Sequence, residues 1–473
     1  MSTVFGVTVL PEWAQSEGID AVLDRLEAAG VTAVATSPYV MEPAPDGVRE
    51  PPADADAGKV RLLDRPLWGE RAVKVRTAPS FAPDLSLYEG LPYRPAPPDA
   101  LTAREGETVA LFVAAAKARG MAVHMQVQAA IPPGYRVQFG GPLAEDQPLG
   151  PDGRAVPKRV DLNASLASPA ILAYGRALLK DLARAYPDVD AVRIDWPEYP
   201  PYAFEALFFD FSPHAFGVAE AQGIEIAAMQ ADMLALRDFL TRGLADDDLS
   251  GASAAGAALA GEDLAAAGAQ LDALLAGFPG VAAMLRLKRR LVRDLLESYR
   301  AALPGGIALV PQAFPPPFTL VSGFDFAEAA AIVQGLGVKL YTMHWPMMLR
   351  NWTEALTAAN PGVSADRVVA ALAALTGTTD GPPGPFADVR YPEPHEPHTA
   401  GERGMAAKIR AARAAAGEDC PVHAFGHGYG PAEDVARRAR IAWEASDGRL
   451  WMNRYGYLSD EKLGLLGRIV RGA

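Results

Sequence analysis

The charged side chains that follow one apolar run carry the clearest chemical signal in this chain. The run is Val189-Asp-Ala-Val-Arg-Ile-Asp-Trp-Pro-Glu-Tyr199, which is typical of a buried strand. Because side chains alternate along a strand, Arg193 and Asp195 share one face, and Trp196 lies with the apolar residues on the other. A guanidinium and a carboxylate within an apolar strand need a polar environment. We expect both to point into the lumen of a barrel at its catalytic end; the alternative is a structural Arg–Asp pair.

Cleavage of a glycosidic bond requires two carboxyl groups. One donates a proton to the leaving oxygen, and the other attacks the anomeric carbon or activates water. Asp195 is the first candidate, because Arg193 beside it is expected to lower the pKa of Asp195 and keep it ionised. Glu198, just past the strand end, is the candidate proton donor, a role that requires surroundings that raise its pKa. Glu12 and Asp325 are the other carboxylates near predicted strand ends.

Polar and aromatic residues near the ends of the other predicted strands suit a sugar ligand. The apolar faces of a pyranose stack on aromatic rings, while its hydroxyls hydrogen-bond to planar polar groups. On these grounds the candidate substrate-binding residues are Glu12, Trp13, Tyr39, His124, Gln126, Gln128, Trp196, Gln312, His344, Trp345, His423, His427, Trp451, Asn453 and Tyr455. We therefore predict a carbohydrate substrate, with Asp195, Glu198 and Arg193 as the catalytic set.

The elements that must position these residues alternate along the chain. Short β-branched or aromatic runs are followed by longer Ala- and Leu-rich helical patterns. The eight predicted strands are Val4–Leu10, Val31–Thr36, Ala122–Ala129, Ala191–Trp196, Gly306–Gln312, Val338–Trp345, Val422–His427 and Leu450–Tyr455. The predicted helices include Ile19–Ala29, Val109–Arg119, Ala170–Ala185, Phe326–Leu336, Ala432–Ala445 and Leu458–Ile469. Eight such units predict an α/β fold, a (β/α)8 TIM barrel, as a single catalytic domain over residues 1–473.

Long segments follow predicted strands rather than helices, which places them at the C-terminal mouth of the barrel. Irregular segments are Met41–Ala100 after strand two, Ile131–Val160 after strand three and Thr376–Gly404 after strand six. Residues 203–302 are predicted to form a helical insertion after strand four, with a mobile hairpin at Asp246–Gly261. The alternatives for this insertion are a separate helical bundle and a dimerisation element. The second alternative would make the protein a homo-oligomer.

Composition excludes several classes of partner. The formal charge is −13 and the pI is ≈ 5.1, whereas nucleic acids and anionic membrane surfaces call for basic patches. Cys420 is the only cysteine, which rules out an intrachain disulfide and a multi-cysteine zinc site. No signal peptide, membrane-spanning stretch, P-loop or Gly-x-Ser-x-Gly elbow is evident. We expect a cytoplasmic enzyme with no cofactor or bound metal, and with neither nucleic acid nor a membrane as partner.

Residues 120–215 resemble the hypothetical glycoside hydrolases related to the α-amylase superfamily. The resemblance rests on Asp161-Leu-Asn163, on Leu182-Ala-Arg-Ala-Tyr-Pro187 and on Asp190-Ala-Val-Arg-Ile-Asp-Trp-Pro-Glu-Tyr-Pro200. Outside these residues it extends only to the layout of the barrel.

This resemblance implies roles for individual residues. In the α-amylase family an Arg-x-Asp at the end of strand four carries the nucleophile, which implies that role for Asp195, with Arg193 as its partner. The acid of that family is a Glu at the end of strand five, where this chain has Gln312. The segment that begins at Asp195 is also similar to the chitinase-type Asp-Trp-Glu-Tyr-Pro ending, in which Glu is the acid. That similarity implies the acid role for Glu198, with Pro197 as an insertion.

Two other functions fit the same residues. In a metal-dependent sugar isomerase or hydrolase, a divalent ion would be bound by Asp195, Glu198 and some of the histidines His124, His344, His423 and His427. In a carbohydrate-binding barrel without catalysis, the absence of a Glu on strand five would mean that the catalytic acid has been lost and that the aromatic mouth only binds a sugar. The main prediction is a glycoside hydrolase that acts on a soluble oligosaccharide or glycoside by a two-carboxylate mechanism.

Overall fold

Eight parallel strands close into a barrel. The computed structural model describes residues 3–45, 55–56, 59–60, 62–156, 159 and 161–472. The barrel strands are β1 (Val4–Thr8), β2 (Ala33–Thr36), β3 (Ala122–Gln128), β4 (Ala191–Asp195), β5 (Ala308–Ala313), β6 (Leu336–Lys339), β7 (Val422–His427) and β8 (Arg449–Asn453). Each strand pairs with the next along the chain, and β8 closes the barrel on β1. The predicted (β/α)8 barrel is confirmed.

Helices surround the barrel strands. They are α1 (Pro11–Glu17), α2 (Ile19–Ala28), α3 (Ala100–Glu105), α4 (Glu107–Ala118), α5 (Pro169–Ala185), α6 (Pro213–Ala221), α7 (Ile226–Asp238), α8 (Asp246–Leu259), α9 (Leu264–Leu274), α10 (Pro279–Ala302), α11 (Thr319–Ser322), α12 (Phe326–Ala330), α13 (His344–Ala358), α14 (Ala365–Thr376), α15 (Glu402–Ala416), α16 (Ala432–Ala445) and α17 (Asp460–Arg471). Within the described ranges, none of the helices combines the length and apolar character needed to cross a membrane.

The long segment after β2 contains short antiparallel pairs. Tyr39–Pro43 pairs with Val75–Pro79, and Ala55–Asp56 pairs with Lys59–Val60. The other residues of this predicted segment between 46 and 61 lie outside the described residues, as do residues 157, 158 and 160 of the segment after β3.

Strand six is shorter than predicted. It spans Leu336–Lys339 rather than Val338–Trp345, and the helix before it ends at Ala330 rather than Leu336. His344 and Trp345 belong to α13 and are buried. An apolar run of a few residues has the same composition in a buried strand and at the buried start of a helix, so periodicity does not separate the two.

The prediction of a mobile hairpin at Asp246–Gly261 is wrong. Asp246–Leu259 forms α8, which packs against α14. A Cβ atom at Gly256 would lie only 2.7 Å from the carbonyl group of Ala374 on α14. The small residues that resemble a hairpin in the sequence therefore form the contact surface that brings the two helices close together.

Large aromatic side chains fill the barrel interior below its mouth. Trp451 and Phe425 stack in parallel, with ring centres 6.0 Å apart. Trp451 occupies the space over Gly6, where a Cβ atom would lie 2.2 Å from the indole. Phe425 similarly lies over Gly337, at 2.6 Å from the Cβ position. Glycines on β1 and β6 therefore make room for the rings of β7 and β8.

Candidate active site

A pocket opens at the C-terminal ends of the barrel strands. It encloses about 620 Å³ of space, part of which is open to solvent. Its lining residues are Leu10, Ser37, Gln126, Gln128, Tyr135, Arg136, Gln138, Asp195, Trp196, Tyr202, Tyr341, His344, Asn453 and Arg454. Six of them are among the predicted site residues, namely Gln126, Gln128, Asp195, Trp196, His344 and Asn453. Catalytic residues of barrels of this kind come from this end.

The Asp195 carboxylate forms an ion pair with the Lys339 ammonium group. The side chain of Asp195 is 13% exposed and that of Lys339 is 2% exposed, so the ammonium lies behind the carboxylate. Burial lowers the pKa of Lys339, and the charges of Asp195 and Glu198 oppose this shift. The Lys339 Nζ also lies 5.0 Å from the ring centre of Trp196. The counterion in contact with Asp195 is therefore Lys339, rather than Arg193 as predicted.

Glu198 is enclosed behind the pocket wall and is fully buried. Its Oε1 accepts a hydrogen bond from the Phe314 backbone N–H at 2.5 Å, and its Oε2 accepts one from the Ser322 hydroxyl. Burial raises the pKa of Glu198 to about 7, against the opposing effect of these hydrogen bonds and of Lys339. A raised pKa is what a proton donor requires. Yet both carboxyl oxygens are already bonded within the protein, and Glu198 does not belong to the residues that line the pocket.

The turn after β4 brings Trp196 to the pocket. Its φ of 53° lies in the left-handed region, which is uncommon for a residue with a large side chain. The side-chain amide of Asn163 holds this turn by donating hydrogen bonds to the carbonyls of Trp196 and Glu198, both at 2.9 Å. Strand parity therefore ends at Asp195, and the placement of Trp196 on the outer face is wrong.

Arg193 lies in the lumen, one layer below Asp195, as strand parity predicts. Its Nη2 donates to Thr8 Oγ1 at 2.9 Å and to Gln126 Oε1 at 3.4 Å. The guanidinium carbon lies 4.2 Å from the ring centre of Trp451, a cation–π distance. Burial lowers the pKa of Arg193 to about 9. The guanidinium thus supports the pocket floor through Gln126 and does not itself line the pocket.

Two predicted histidines also lie in the lumen below the pocket. The His124 ring is 4.7 Å from that of Trp451, and burial lowers the pKa of His124 well below its usual range. Burial, together with the charge of Arg449, lowers the pKa of His423 to about 3. Gln312 is buried beside them, with its Nε2 3.5 Å from Gln126 Oε1. These residues and Trp451 pack in the barrel interior and do not line the pocket.

Glu12 and Tyr39 stand behind the pocket wall. The Tyr39 hydroxyl donates to Glu12 Oε2 at 3.1 Å, and Arg136 Nη1 lies 3.4 Å from Glu12 Oε1. Burial raises the pKa of Glu12, and the charge of Arg136 opposes this rise. Of these three residues only Arg136 lines the pocket. Glu12 is therefore placed to orient Arg136 rather than to contact a substrate.

Trp13 and Tyr455 form a pair of their own. Their rings meet edge to face at 5.8 Å, and the Tyr455 hydroxyl is hydrogen-bonded to Glu17 and Arg25. Tyr455 belongs to a 3₁₀ turn after β8, not to the strand. Neither aromatic residue lines the pocket.

Two more predicted contacts fall outside the pocket lining. Trp345 lies on α13, with the Lys408 Nζ 5.4 Å from its ring centre. His427 ends β7, where its Nδ1 accepts a hydrogen bond from the Tyr429 backbone N–H at 3.1 Å. Its ring contacts that of Tyr341, at 5.3 Å, from behind the pocket lining.

His344 meets a residue that was not predicted. Tyr202 and His344 both line the pocket, and the Tyr202 hydroxyl is 3.0 Å from His344 Nδ1. The Tyr202 ring also packs edge to face on Trp196, at 5.7 Å, and on Phe314, at 5.2 Å. A phenol bonded to an imidazole can donate or accept a proton.

Five residues of the site were not predicted from the sequence, namely Lys339, Tyr341, Tyr202, Arg136 and Arg454. Two of them carried a usable signal, because Lys339 and Tyr341 alternate with apolar residues along predicted strand six as Arg193 and Asp195 do along strand four. A lysine inside a buried strand calls for a charged partner. The others sit in loops after strand ends, where no periodicity points to a side-chain direction.

Metal ligands require clustered donors. Across the described residues, no three His, Cys, Asp or Glu side chains come together in a group that could hold a metal ion. His124, His344, His423 and His427 are each placed as given above.

Comparison with known proteins finds similarity of fold only. No protein-family model matches the chain, and no curated protein matches its sequence. Among solved structures, one similar fold is the PgaB (BpsB) glycoside hydrolase domain from Bordetella bronchiseptica, with a TM-score of 0.47 and 12% identity over 96% of this chain and 95% of that chain. Another is the Bacillus cereus spore cortex-lytic enzyme SleL, with a TM-score of 0.38 and 8% identity over 98% of this chain and 73% of that chain. Similarity this low does not bear on what the present chain does.

Proposed function

We propose that this protein is a glycoside hydrolase that binds a sugar in the pocket at the barrel mouth. The observation that carries the proposal is the position of Asp195. Its carboxylate ends β4, faces the pocket and has the buried ammonium of Lys339 as counterion. Positive charge develops on the sugar ring as a glycosidic bond breaks, and a carboxylate at the anomeric carbon stabilises it or attacks that carbon.

The remaining lining residues support a sugar as the ligand. Gln126, Gln128 and Asn453 offer amide groups that both donate and accept hydrogen bonds. Trp196 and Tyr341 offer aromatic rings on which the apolar face of a pyranose can stack.

The resemblance of the β4 region to the α-amylase type Arg-x-Asp also supports the assignment of Asp195. That resemblance implies a nucleophile here, and the lumen position of Arg193 beneath it agrees with a positioning role. Arg193 would act through Gln126, which lines the pocket.

The test is release of the aglycone from a panel of aryl glycosides and oligosaccharides, with and without a chelator. We expect turnover by the wild type, and about a 10³-fold loss in Asp195→Asn, as for removal of one preorganised electrostatic group. Asp325→Asn is the matched control, because Asp325 caps α12 by accepting from the backbone N–H groups of Ala327 and Glu328. Asparagine also caps helices. Full activity in Asp195→Asn would refute the proposal, and loss of activity with chelator would favour a metal-dependent enzyme.

A second candidate function is carbohydrate binding without turnover. The observation that favours it is that Asp195 is the only carboxylate among the described residues that line the pocket. Saturable sugar binding, measured by the intrinsic tryptophan fluorescence of the protein, with no release from any glycoside of the panel, would support this function instead.

A further inference from the structure

We propose that Tyr202, with His344 as its proton partner, is the proton donor to the leaving group. This inference rests on the proposed glycoside hydrolase function. Cleavage of an unactivated glycoside needs a group in the pocket that protonates the departing oxygen. Asp195 is paired with Lys339 and is assigned to the anomeric carbon, so the donor must be another group.

Glu198 does not meet this requirement in the present arrangement. Its two carboxyl oxygens are occupied by the Phe314 backbone N–H and the Ser322 hydroxyl, and none of its surface is exposed. A proton donor must come within hydrogen-bond reach of the oxygen that it protonates. Glu198 would have to break both bonds and cross the pocket wall to do so.

Tyr202 and His344 are positioned to act as this proton donor. Tyr202 follows β4 and His344 begins α13, so the pair bridges the loops after two different barrel strands. Both line the same pocket as Asp195, and the phenol oxygen lies 3.0 Å from His344 Nδ1. Trp196 contacts both partners of the site, with its ring centre 5.7 Å from that of Tyr202 and 5.0 Å from the Lys339 Nζ.

The proton balance closes without any further reagent. The bond between the anomeric carbon and the glycosidic oxygen breaks, and its electron pair goes to the oxygen. That oxygen takes the hydroxyl proton of Tyr202, and the phenol regains a proton from Nδ1 of a protonated His344. Water then adds to the anomeric carbon, and the proton that it loses returns to His344.

Tyr135 offers a matched control for Tyr202. It is a second phenol of the pocket lining, and no hydrogen-bond partner of its hydroxyl is found among the described residues. Tyr135→Phe therefore removes a pocket hydroxyl of the same chemistry that has no histidine to replace its proton.

The experiment compares two leaving groups on the sugar that the aryl glycoside panel identifies. Dinitrophenolate leaves without protonation, whereas the methanol of a methyl glycoside leaves only when it is protonated. For Tyr202→Phe and His344→Asn we expect kcat/KM to fall about 10²- to 10³-fold on the methyl glycoside and only a few-fold on the dinitrophenyl glycoside. Tyr135→Phe and Glu198→Gln should change both substrates by a common factor. Thermal unfolding of each variant checks that it is folded.

Two results would overturn the inference. An equal loss on both leaving groups in Tyr202→Phe and His344→Asn would assign the pair to binding or structure. A selective loss on the methyl glycoside in Glu198→Gln would assign the acid to Glu198. A wild type that cleaves neither glycoside would instead remove the proposed function itself, so the two failures are distinguishable.

Discussion

Buried lysines of this protein differ in what satisfies the ammonium group. Lys288 on α10 donates to the backbone carbonyls of Leu207 at 2.8 Å and Val321 at 3.0 Å, and Lys408 on α15 donates to that of Thr376. Burial lowers the pKa of both Lys288 and Lys408 to about 7. Lys339 differs, because its ammonium pairs with the Asp195 carboxylate that faces the pocket.

The partner of each ammonium group separates structural from functional buried charge. An amine held by neutral carbonyls joins two segments of the chain, and both partners stay hidden from any ligand. An ion pair with one partner behind the wall and the other in the pocket presents a single charge to whatever binds there. Perturbed groups of the second kind are the ones that mark candidate functional sites.

The largest expected effect on turnover distinguishes the Lys339→Met variant from the Lys288→Met variant. In Lys339→Met the Asp195 carboxylate loses its counterion, so we expect turnover to fall about 10²-fold and the free energy of unfolding to fall by about 3 kcal/mol. In Lys288→Met two buried carbonyls lose their donor, which costs about 1–3 kcal/mol, with turnover per folded molecule unchanged. Urea unfolding and glycoside release are the measurements. A fall in turnover in Lys288→Met as large as in Lys339→Met would abolish the distinction.

The next effect concerns how the contribution of Lys288 to the free energy of unfolding depends on pH. Its folded-state pKa is lowered from 10.5 to about 7, so the unfolded chain binds the proton more tightly. Lys288 therefore contributes stability that is present above the unfolded pKa and is lost as the pH falls toward 7. We expect the stability of the wild type relative to Lys288→Met to rise with pH above 7, by about 1.4 kcal/mol per unit. Urea unfolding at several pH values tests this, and a pH-independent difference would contradict it.

A smaller effect concerns Glu198, which is coupled to Lys339. The folded-state pKa of Glu198 is raised from 4.5 to about 7, so its contribution to stability is fully present below 4.5 and is lost as the pH rises through 7. Across this pH range the contribution of Glu198 to the free energy of unfolding changes by about 3 kcal/mol in total. We expect Glu198→Gln to flatten the decline in stability between pH 4.5 and 7, measured by thermal or urea unfolding. Parallel pH profiles for the wild type and Glu198→Gln would show that Glu198 does not titrate in this range.

Much of the fold follows from local pattern. Eight apolar runs alternating with helical patterns predict the barrel, because parallel strands need crossover helices and bury both faces. The parity of β4 places Arg193 and Asp195 inside, since the two-residue period of a strand depends only on its backbone.

Errors arise where two structures share one local pattern. The end of strand six and the start of α13 form one apolar run, and only the contacts of α13 decide that Trp345 is helical. The Gly- and Ala-rich stretch of α8 forms a helix whose small residues pack closely against α14. In both cases the deciding contacts lie far away along the chain and are not visible in the local pattern.

Local sequence pattern is enough to predict the barrel and to place Asp195 at the C-terminal end of its strand. Three features depend on tertiary contacts instead: Lys339 is the counterion of Asp195, Glu198 is enclosed, and Tyr202 is hydrogen-bonded to His344. The physical reason is that strand parity is a property of neighbouring residues, whereas an ion pair or a hydrogen bond between residues over a hundred positions apart depends on how the barrel closes.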